Sequence, residues 1–490
     1  MSKNSPLLGG HGPSSYVNPS SSDPSIYYQT NSNYQNNSNN IYNNNNNNNN
    51  SIVNSQPILG SSDDIVIESI PRSRKFTPVN SFWNTVKGFA GAGSFALPWA
   101  MSNAGVFIGS IGLILIALLS NYTMTILLKC NSKLADEQLG TERAPPSYAD
   151  LGRRAYGRVG ELIVCFVNLS VTMSISVAFL ILIGSNFGML TGLSPSYTIW
   201  ICVPIVASLS TLTNMKYLGF TSIFGALALI MAMVTVIAYG IKDYPIHSLS
   251  EYEVDYSKIP LWFGVASYFF CNHIVVVPIS HDSGDCHKYP RILDAAMVFI
   301  TIINVLFAVL GYLYFNFAIV NGVVGVPSNI VEALPDGTFA NLVRMCVVFE
   351  LVCSFPIVFV AGINVVDSSI DIFHRHFTAF PNNDVLRANG SLKFFSRNWK
   401  YYIFRFTLVC VLAAIASTIK TFGSYMSLIG SLMLSTTGFV LPPLIYMRFF
   451  EQSLRSKILH YAIVLFGIAA TGLGTYQSIM SLIHPVKSDD

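Results

Sequence analysis

Charged residues are scarce in this chain of 490 residues. Asp, Glu, Lys and Arg make up 11% of it, whereas 51% of its residues are hydrophobic, with a mean hydropathy of +0.48. A soluble domain needs more charged surface than this, so the composition indicates an all-helical, polytopic membrane protein embedded in a lipid bilayer. The net charge of +3 is small and its basic residues are dispersed among short loops. Nucleic acid is therefore not expected as a partner.

Motifs for common catalytic and metal chemistry are also missing. The chain has no Walker A, HExxH or GxSxG sequence. Its eight cysteines form no CxxC pair and no Cys/His spacing that is typical of a metal site. We therefore expect neither an enzyme nor an ATP-driven pump, and we expect no cofactor and no metal ion.

The first 75 residues lack the apolar content of the rest. They are rich in Asn and Ser, with an unbroken run from Asn43 to Asn50. Such a composition cannot bury enough apolar area to offset the entropy of ordering, so residues 1–75 are predicted to form a disordered cytosolic tail. Leu7-Leu8 has the form of a dileucine sorting signal, although two leucines that meet by chance would give the same pattern.

From Ser81 onward, long apolar segments alternate with short polar loops, and residues 76–490 are predicted to form a transmembrane domain. Lys and Arg are concentrated in alternate loops, whereas Lys242, Lys258, Lys420 and Lys487 fall on the other side, so the positive-inside rule places the N-terminus in the cytosol. Eleven segments are long enough to cross about 30 Å of hydrocarbon. Numbered one to eleven, they lie at approximately 82–103, 106–128, 160–186, 197–214, 218–240, 260–280, 295–320, 340–366, 402–419, 423–446 and 459–483.

The first segment is interrupted in its middle by a Gly-rich stretch at residues 91–98. A lipid-facing helix cannot leave backbone N–H and C=O groups unpaired. Such a break therefore persists only where the freed groups face protein, water or a solute, which makes it a candidate binding site.

Eleven segments divide naturally into five, five and one. An inverted repeat would place a second break in segment six. Small and polar residues do occupy the centre of that segment, from Gly264 to His273, and Pro278 is expected to close it. The same small residues would also suit close helix packing. The sequence thus predicts repeats at about 82–240 and 260–446, an extra helix at about 459–483, and breaks in helices one and six.

Several stretches resemble one transporter family, the amino acid/auxin permeases, and most closely its proton-coupled and vacuolar members. The main match is residues 84–105, which read NTVKGFAGAGSFALPWAMSNAG, and the resemblance covers about residues 80–480. It implies a LeuT-like fold and amino acid transport. Shorter matches are Ser147-Tyr148-Ala149-Asp150-Leu151-Gly152, Gly311-Tyr312-Leu313, Phe355-Pro356-Ile357, and Gly430-Ser431 with Pro442.

The chemistry of the first break suits an amino acid. A second half-helix that starts near Ser94 would direct N–H groups at a carboxylate, and carbonyls near residues 89–91 would face an ammonium group. We predict substrate binding by Gly91, Ala92, Gly93, Ser94, Ser267 and Tyr268. The bulk of Tyr268 and Phe269 favours small or medium neutral substrates, although aromatic residues at such positions also serve as plain packing.

Four residues are candidates for ion coupling: Lys87, His273, Glu350 and Ser354. An ammonium group at Lys87 could occupy the place of a bound cation, and His273 and Glu350 could each carry a proton. The resemblance implies that sodium-coupled members have Asn at the position of Lys87 and Thr at that of Ser354. Each titratable candidate has an alternative: Lys87 could reach the cytosolic interface, Glu350 could pair with Arg344 or another buried donor, and His273 could be a hydrogen-bonded core histidine.

These observations favour a secondary active transporter of neutral amino acids, driven by protons through alternating access. A lysosomal, vacuolar or endosomal membrane is favoured over the plasma membrane. Sodium coupling is one alternative. The alternative from another class is an amino acid sensor that signals through the tail, which deletion of residues 1–75 would separate from a transporter.

Overall fold

The structure, a computed structural model, describes residues 77–89, 91–138, 145–212, 216–252, 254–283, 287–320, 322–369 and 398–484. The predicted tail, including Leu7-Leu8, lies outside these ranges. In chain order the helices are α1 Pro78–Phe89, α2 Leu97–Ala104, α3 Val106–Glu137, α4 Tyr148–Thr191, α5 Pro195–Ser210, α6 Lys216–Asp243, α7 Ile259–Phe270, α8 His273–Asp282, α9 Tyr289–Phe315, α10 Thr338–Ser369, α11 Trp399–Thr418, α12 Phe422–Ile429, α13 Leu441–Phe449 and α14 Leu454–Ile483. Strands β1 (Ile319–Val320) and β2 (Val323–Val324) form a small antiparallel hairpin.

The described residues confirm an all-helical, polytopic membrane protein. Nine helical stretches are long and apolar enough to cross a membrane. The other two predicted segments are the divided first segment (α1 and α2) and the shorter helix α5, so the number of eleven spans stays a prediction. On α3, Phe107, Ile111, Leu115 and Leu118 share one exposed face. Such a face suits contact with lipid.

Helix α4 begins earlier than the apolar pattern predicts. It starts at Tyr148 rather than near residue 160, because Ser147 and Asp150 cap it reciprocally: Asp150 N donates to Ser147 Oγ (3.3 Å) and Ser147 N donates to Asp150 Oδ2 (2.8 Å). The helix then kinks at Gly157, whose φ of +66° favours glycine. The first turns carry Arg153 and other charges, so hydropathy alone misses them.

Corresponding segments of the two predicted repeats pack against each other. Segments one and six, two and seven, three and eight, and four and nine all meet in this way. Elements related by an inverted repeat are expected to meet near the axis that relates them, so this pairing, together with breaks in segments one and six, agrees with the LeuT-like fold class that the sequence predicts.

The helices also divide into two packing groups. Segments one and two contact each other, and both contact segments six and seven; segments three and four contact each other, and both contact segments eight and nine. Segment five contacts segment eight of the second group and segment seven of the first. Glycine permits the closest of these contacts: a Cβ atom on Gly362 of α10 would lie 2.2 Å from Thr172 Oγ1 of α4. Each group takes segments from both repeats, so the packing does not separate one repeat from the other.

Segment ten departs from a regular α-helix. Between α12 and α13 it forms π-helical turns at Gly430–Leu434 and Thr436–Val440. A Cβ atom on Gly430 would lie 1.8 Å from the carbonyl oxygen of Gly264. The backbones of segments six and ten are therefore in direct contact beside the second break, a place where π-helical turns are often functional.

Candidate functional site

The first break lies between α1 and α2. Helix α1 ends at Phe89, Gly91 is extended (φ −165°, ψ −164°), and a 3₁₀ turn spans Ala92–Ala96 before α2 starts at Leu97. The prediction that the second half-helix starts near Ser94 is therefore wrong by about one turn. Ser94 N donates to the Gly91 carbonyl at 3.1 Å, because the tighter 3₁₀ turn pairs these groups first.

The two glycines of the first break have different surroundings. A Cβ atom on Gly93 would lie 3.2 Å from Cδ1 of Tyr268 and 3.3 Å from Cδ2 of Phe269. A Cβ atom on Gly91 would meet nothing within 4 Å, and Gly91 is partly exposed. Gly93 is thus needed for close packing between segments one and six, whereas Gly91 borders open space.

The second break lies at Cys271 and Asn272, between α7 and α8. Ser120 Oγ of segment two donates to the Phe270 carbonyl at 2.7 Å, and Cys271 N donates to the Ser267 carbonyl at 2.9 Å. The prediction that segment six is broken is therefore confirmed.

The expectation that Pro278 closes segment six is wrong. Pro278 lies inside α8, which continues to Asp282. A proline in the second turn of a short helix is tolerated because few backbone bonds precede it.

A hydrogen bond joins the two breaks. Asn272 Nδ2 donates to the Gly88 carbonyl in the last turn of α1, at 3.2 Å. A Cβ atom on Gly88 would lie 3.0 Å from Cγ1 of Val275, so α1 and α8 approach closely here. Together with the contact of Gly93 with Tyr268, this bond shows that the predicted binding residues of the two segments lie together.

Two buried hydroxyl groups at the breaks form no hydrogen bond with another described residue. Ser94 Oγ and Ser267 Oγ have no partner among the described residues, and both side chains are almost fully buried. A serine hydroxyl can donate to a carboxylate and accept from an ammonium group. One hydroxyl from each broken segment is thus available to a small polar substrate.

The structure groups three of the four coupling candidates. Ser354 Oγ donates to Glu350 Oε1 at 2.6 Å, and the charges of Glu350 and the half-buried Lys87 interact across segments one and eight. Of the alternative partners for Glu350, Arg344 is wrong, whereas another donor, Ser354 in the same segment, does bind it. Arg344 instead lies 3.5 Å from Asp336 and donates to the Leu334 carbonyl, because the loop before α10 folds back over it.

His273, the fourth coupling candidate, belongs to another hydrogen-bond network. It is fully buried at the start of α8, and its Nε2 lies 2.9 Å from Thr123 Oγ1 of segment two. This is the arrangement of a hydrogen-bonded core histidine. Its role in coupling stays a prediction.

Sequence reasoning missed two residues that shape the site, Ser120 and Asn272. Both are polar residues within apolar segments, which is a signal for a function inside the membrane. Their partners are backbone carbonyls more than a hundred residues away in the sequence. That information exists only in the folded chain.

Comparisons with known proteins agree with the resemblance. Residues 74–480 match the family model described as "Transmembrane amino acid transporter protein". The chain is 28% identical to amino acid transporter ANT1 of Arabidopsis thaliana over 414 residues, which cover 81% of this chain and 91% of that protein. It is 23% identical to vacuolar amino acid transporter 4 of Saccharomyces cerevisiae, over 81% of this chain and 57% of that protein.

Among solved structures, Mhp1, a nucleobase-cation-symport-1 family transporter in a closed conformation, aligns with a TM-score of 0.48 and 12% identity, over 84% of this chain and 93% of that one. The family match extends over both breaks and over all of the described helices up to the last turn of α14. The chain belongs to the transmembrane amino acid transporter family.

Proposed function

We propose that this chain is a proton-coupled transporter of neutral amino acids, which moves them across the membrane together with protons by alternating access. The observation that carries the proposal is the junction of the two breaks, where Gly93 packs on Tyr268 and Asn272 bonds to Gly88. Freed backbone groups and two unused serine hydroxyls meet there in the interior of the bundle.

The proposed substrate site follows from the chemistry of that junction. The ammonium group of an amino acid would face carbonyls at the end of α1, and its carboxylate would take hydrogen bonds from Ser94 and Ser267. Open space beside Gly91 lets a substrate approach the backbone. The aromatic ring of Tyr268 limits the size of the substrate side chain, which supports small or medium neutral amino acids.

Lys87, Glu350 and Ser354 are the proposed coupling group. A fixed ammonium group close to the first break disfavours a sodium ion there by charge repulsion. Ser354 already donates its hydroxyl hydrogen to Glu350, so a proton on Glu350 would change this hydrogen bond directly. Protonation of Glu350 would also release its attraction to Lys87, which lies on the broken segment.

The two packing groups supply the moving bodies for alternating access. The group of segments one, two, six and seven carries both breaks, and it would rock against the group of segments three, four, eight and nine, with segment five in contact with both. Each group contains segments of both predicted repeats, so the proposed moving bodies are not the repeats themselves.

An acidic organelle would provide the proton gradient that such a transporter needs. The name of the yeast relative includes the vacuole, and we propose the same kind of membrane for this chain, with the N-terminus in the cytosol. A fluorescent fusion confined to the cell surface, and unaffected by Leu7→Ala with Leu8→Ala, would contradict this placement.

The test of the proposed function uses the purified full chain in proteoliposomes. We expect uptake of neutral amino acids to rise with an inward proton gradient and not with a sodium gradient at equal pH. Accumulation driven by sodium alone would overturn proton coupling. Absence of flux for every amino acid, together with loss of a cellular response on deletion of residues 1–75, would favour a sensor.

Two variants assign the coupling group. Lys87→Ala should impair proton-driven accumulation about tenfold, while exchange of amino acid across an equilibrated membrane is reduced much less. Glu350→Gln keeps an acceptor for Ser354 but removes the titratable proton. It should therefore also impair proton-driven accumulation much more than exchange. Lys242→Ala, at an exposed lysine on the end of α6, is the matched control.

A further inference from the structure

A cavity lined by both polar and apolar side chains lies on the face that carries the connections between segments three and four, seven and eight, and nine and ten. We call it the outer cavity. It measures about 720 Å³, within the usual range for small-molecule sites. Its lining includes Ser185, Ser196, Ser328, Glu332, Thr418 and Lys420.

Two side chains of opposite charge line the outer cavity, and each has a charged atom that no described residue binds. Glu332 Oε1 accepts hydrogen bonds from Ser185 and Asn329, whereas Glu332 Oε2 accepts none among the described residues. Lys420 is exposed and forms no ion pair with another described residue. Glu332 and Lys420 are the charged members of the lining. A cavity with one fixed carboxylate and one ammonium group is complementary to a zwitterion.

The outer cavity is next to the first break. Glu332 belongs to the 3₁₀ turn Ile330–Ala333, whose other residues are buried and which packs against the 3₁₀ turn Ala92–Ala96. Phe422, which lines the cavity, begins α12, and α12 contacts the same turn of segment one. A solute in the cavity is therefore separated from the first break by one turn of chain.

We propose that the outer cavity is a second binding site for the amino acid, in which Glu332 receives its ammonium group and Lys420 its carboxylate. This inference rests on the proposed amino acid transport. The serine and threonine hydroxyls of the lining would contribute further hydrogen bonds. Because none of these residues belongs to the junction of the breaks, the two sites can be removed separately.

The ionisation of Glu332 sets the working range of this second site. Burial raises the pKa of the Glu332 carboxyl, and the charge of Arg344, itself beside Asp336, opposes that rise. Lys420 is the other charged group that faces the cavity. The carboxylate form binds an ammonium group, so occupancy of the second site is expected to fall as the pH decreases from neutral.

The experiment counts bound ligands on the purified full chain in detergent. Radiolabelled L-alanine, L-leucine and L-glutamine are titrated, and the one bound most tightly is used throughout. We expect the wild-type protein to bind two molecules per chain. Glu332→Gln and Lys420→Gln should each weaken one site at least tenfold and leave the other unchanged. Glu251→Gln and Lys242→Gln, at exposed charges outside the cavity, should keep both sites.

The outcomes separate this proposal from the proposed function. The second site alone is overturned if the wild-type chain transports amino acids in proteoliposomes but binds only one molecule per chain. It is also overturned if both cavity variants still bind two molecules. Absence of both binding and uptake for all three amino acids overturns both proposals. Glu332→Gln preserves the acceptor for Ser185, and Lys420 is exposed, so a loss of binding in these variants is not a loss of fold.

Discussion

The two breaks interrupt their helices by different chemical means. At the first break the chain is extended at Gly91, and Gly93 allows contact with an aromatic ring. At the second break neither Cys271 nor Asn272 is a glycine, and the Phe270 carbonyl accepts from the Ser120 hydroxyl as well as from the Asn272 N–H. The first break depends on the absence of side chains, and the second depends on a side chain from a neighbouring segment.

This difference explains why glycine marks the position of the first break but not that of the second. Gly264, the glycine of segment six, lies well inside α7, and a Cβ atom there would be 2.3 Å from the Ser427 carbonyl oxygen. Its function is the close packing of segments six and ten. Glycine in a membrane helix therefore marks a break in one segment of this protein and a helix contact in the other.

The largest effect is expected from Gly93→Leu, which tests the need for a missing side chain. Its Cβ atom would already press on Tyr268 and Phe269, and the larger side chain has no room. Amino acid uptake should fall at least tenfold while the protein still reaches its membrane. Gly472→Leu is the matched control, since nothing lies within 4 Å of a Cβ atom there. Wild-type uptake by Gly93→Leu would contradict the close contact.

A smaller effect is expected from Ser120→Ala, which tests the side-chain support of the second break. The Phe270 carbonyl would lose its side-chain donor and keep only the Asn272 N–H, at 3.1 Å, so the expected cost is about 1 kcal/mol. A lower temperature of unfolding, with reduced uptake, should result. Ser208→Ala removes an exposed hydroxyl that bonds only within its own helix, and it should change neither quantity. Equal stability of the two variants would show that the second break does not need this bond.

The hydrogen bond between the breaks is tested by Asn272→Leu, which keeps the approximate volume and removes the donor to Gly88. Loss of one such bond is worth about 1 kcal/mol, so uptake should fall about fivefold. Asn272→Ala should reduce uptake to the same extent as Asn272→Leu if the hydrogen-bond donor matters rather than the shape of the side chain. If Asn272→Leu retains full uptake and only Asn272→Ala is impaired, packing rather than the hydrogen bond joins the two breaks.

The smallest effect is expected from Gly91→Ala. Extended backbone at φ −165° is open to any residue, and the new Cβ atom would meet no neighbour. The free energy of unfolding should change by less than about 0.5 kcal/mol. Because the Cβ atom would point into space that we assign to the substrate, apparent affinity should fall about twofold. A loss of stability as large as that of Ser120→Ala would show that Gly91 is also closely packed.

Much of the fold could be predicted because hydropathy reports contact with lipid directly. The ends of segment two near Val106 and of segment eleven near Ile483 agree closely with α3 and α14. The first break was visible because glycine and proline act on local backbone geometry. The family signature at residues 84–105 lies at this same break.

Other features could not be predicted because they depend on contacts that are distant in sequence. The first π-helical turn of segment ten begins at Gly430, where its backbone contacts Gly264, and the hydropathy of the sequence does not indicate this turn. Glu332 lies in a polar loop, and nothing local indicates that Ser185 binds it or that its turn covers the first break. The electrostatic interaction of Lys87 with Glu350 likewise joins residues that are distant in sequence.

The bond from Asn272 to Gly88 has a consequence for the speed of the cycle. A net value of about 1 kcal/mol corresponds to a bias of about fivefold between joined and parted states. Such a bond favours one arrangement without trapping it, and a parting of α1 from α8 can occur on the microsecond to millisecond scale of collective helix motions. This bond by itself therefore orders the junction without preventing its opening during a transport cycle.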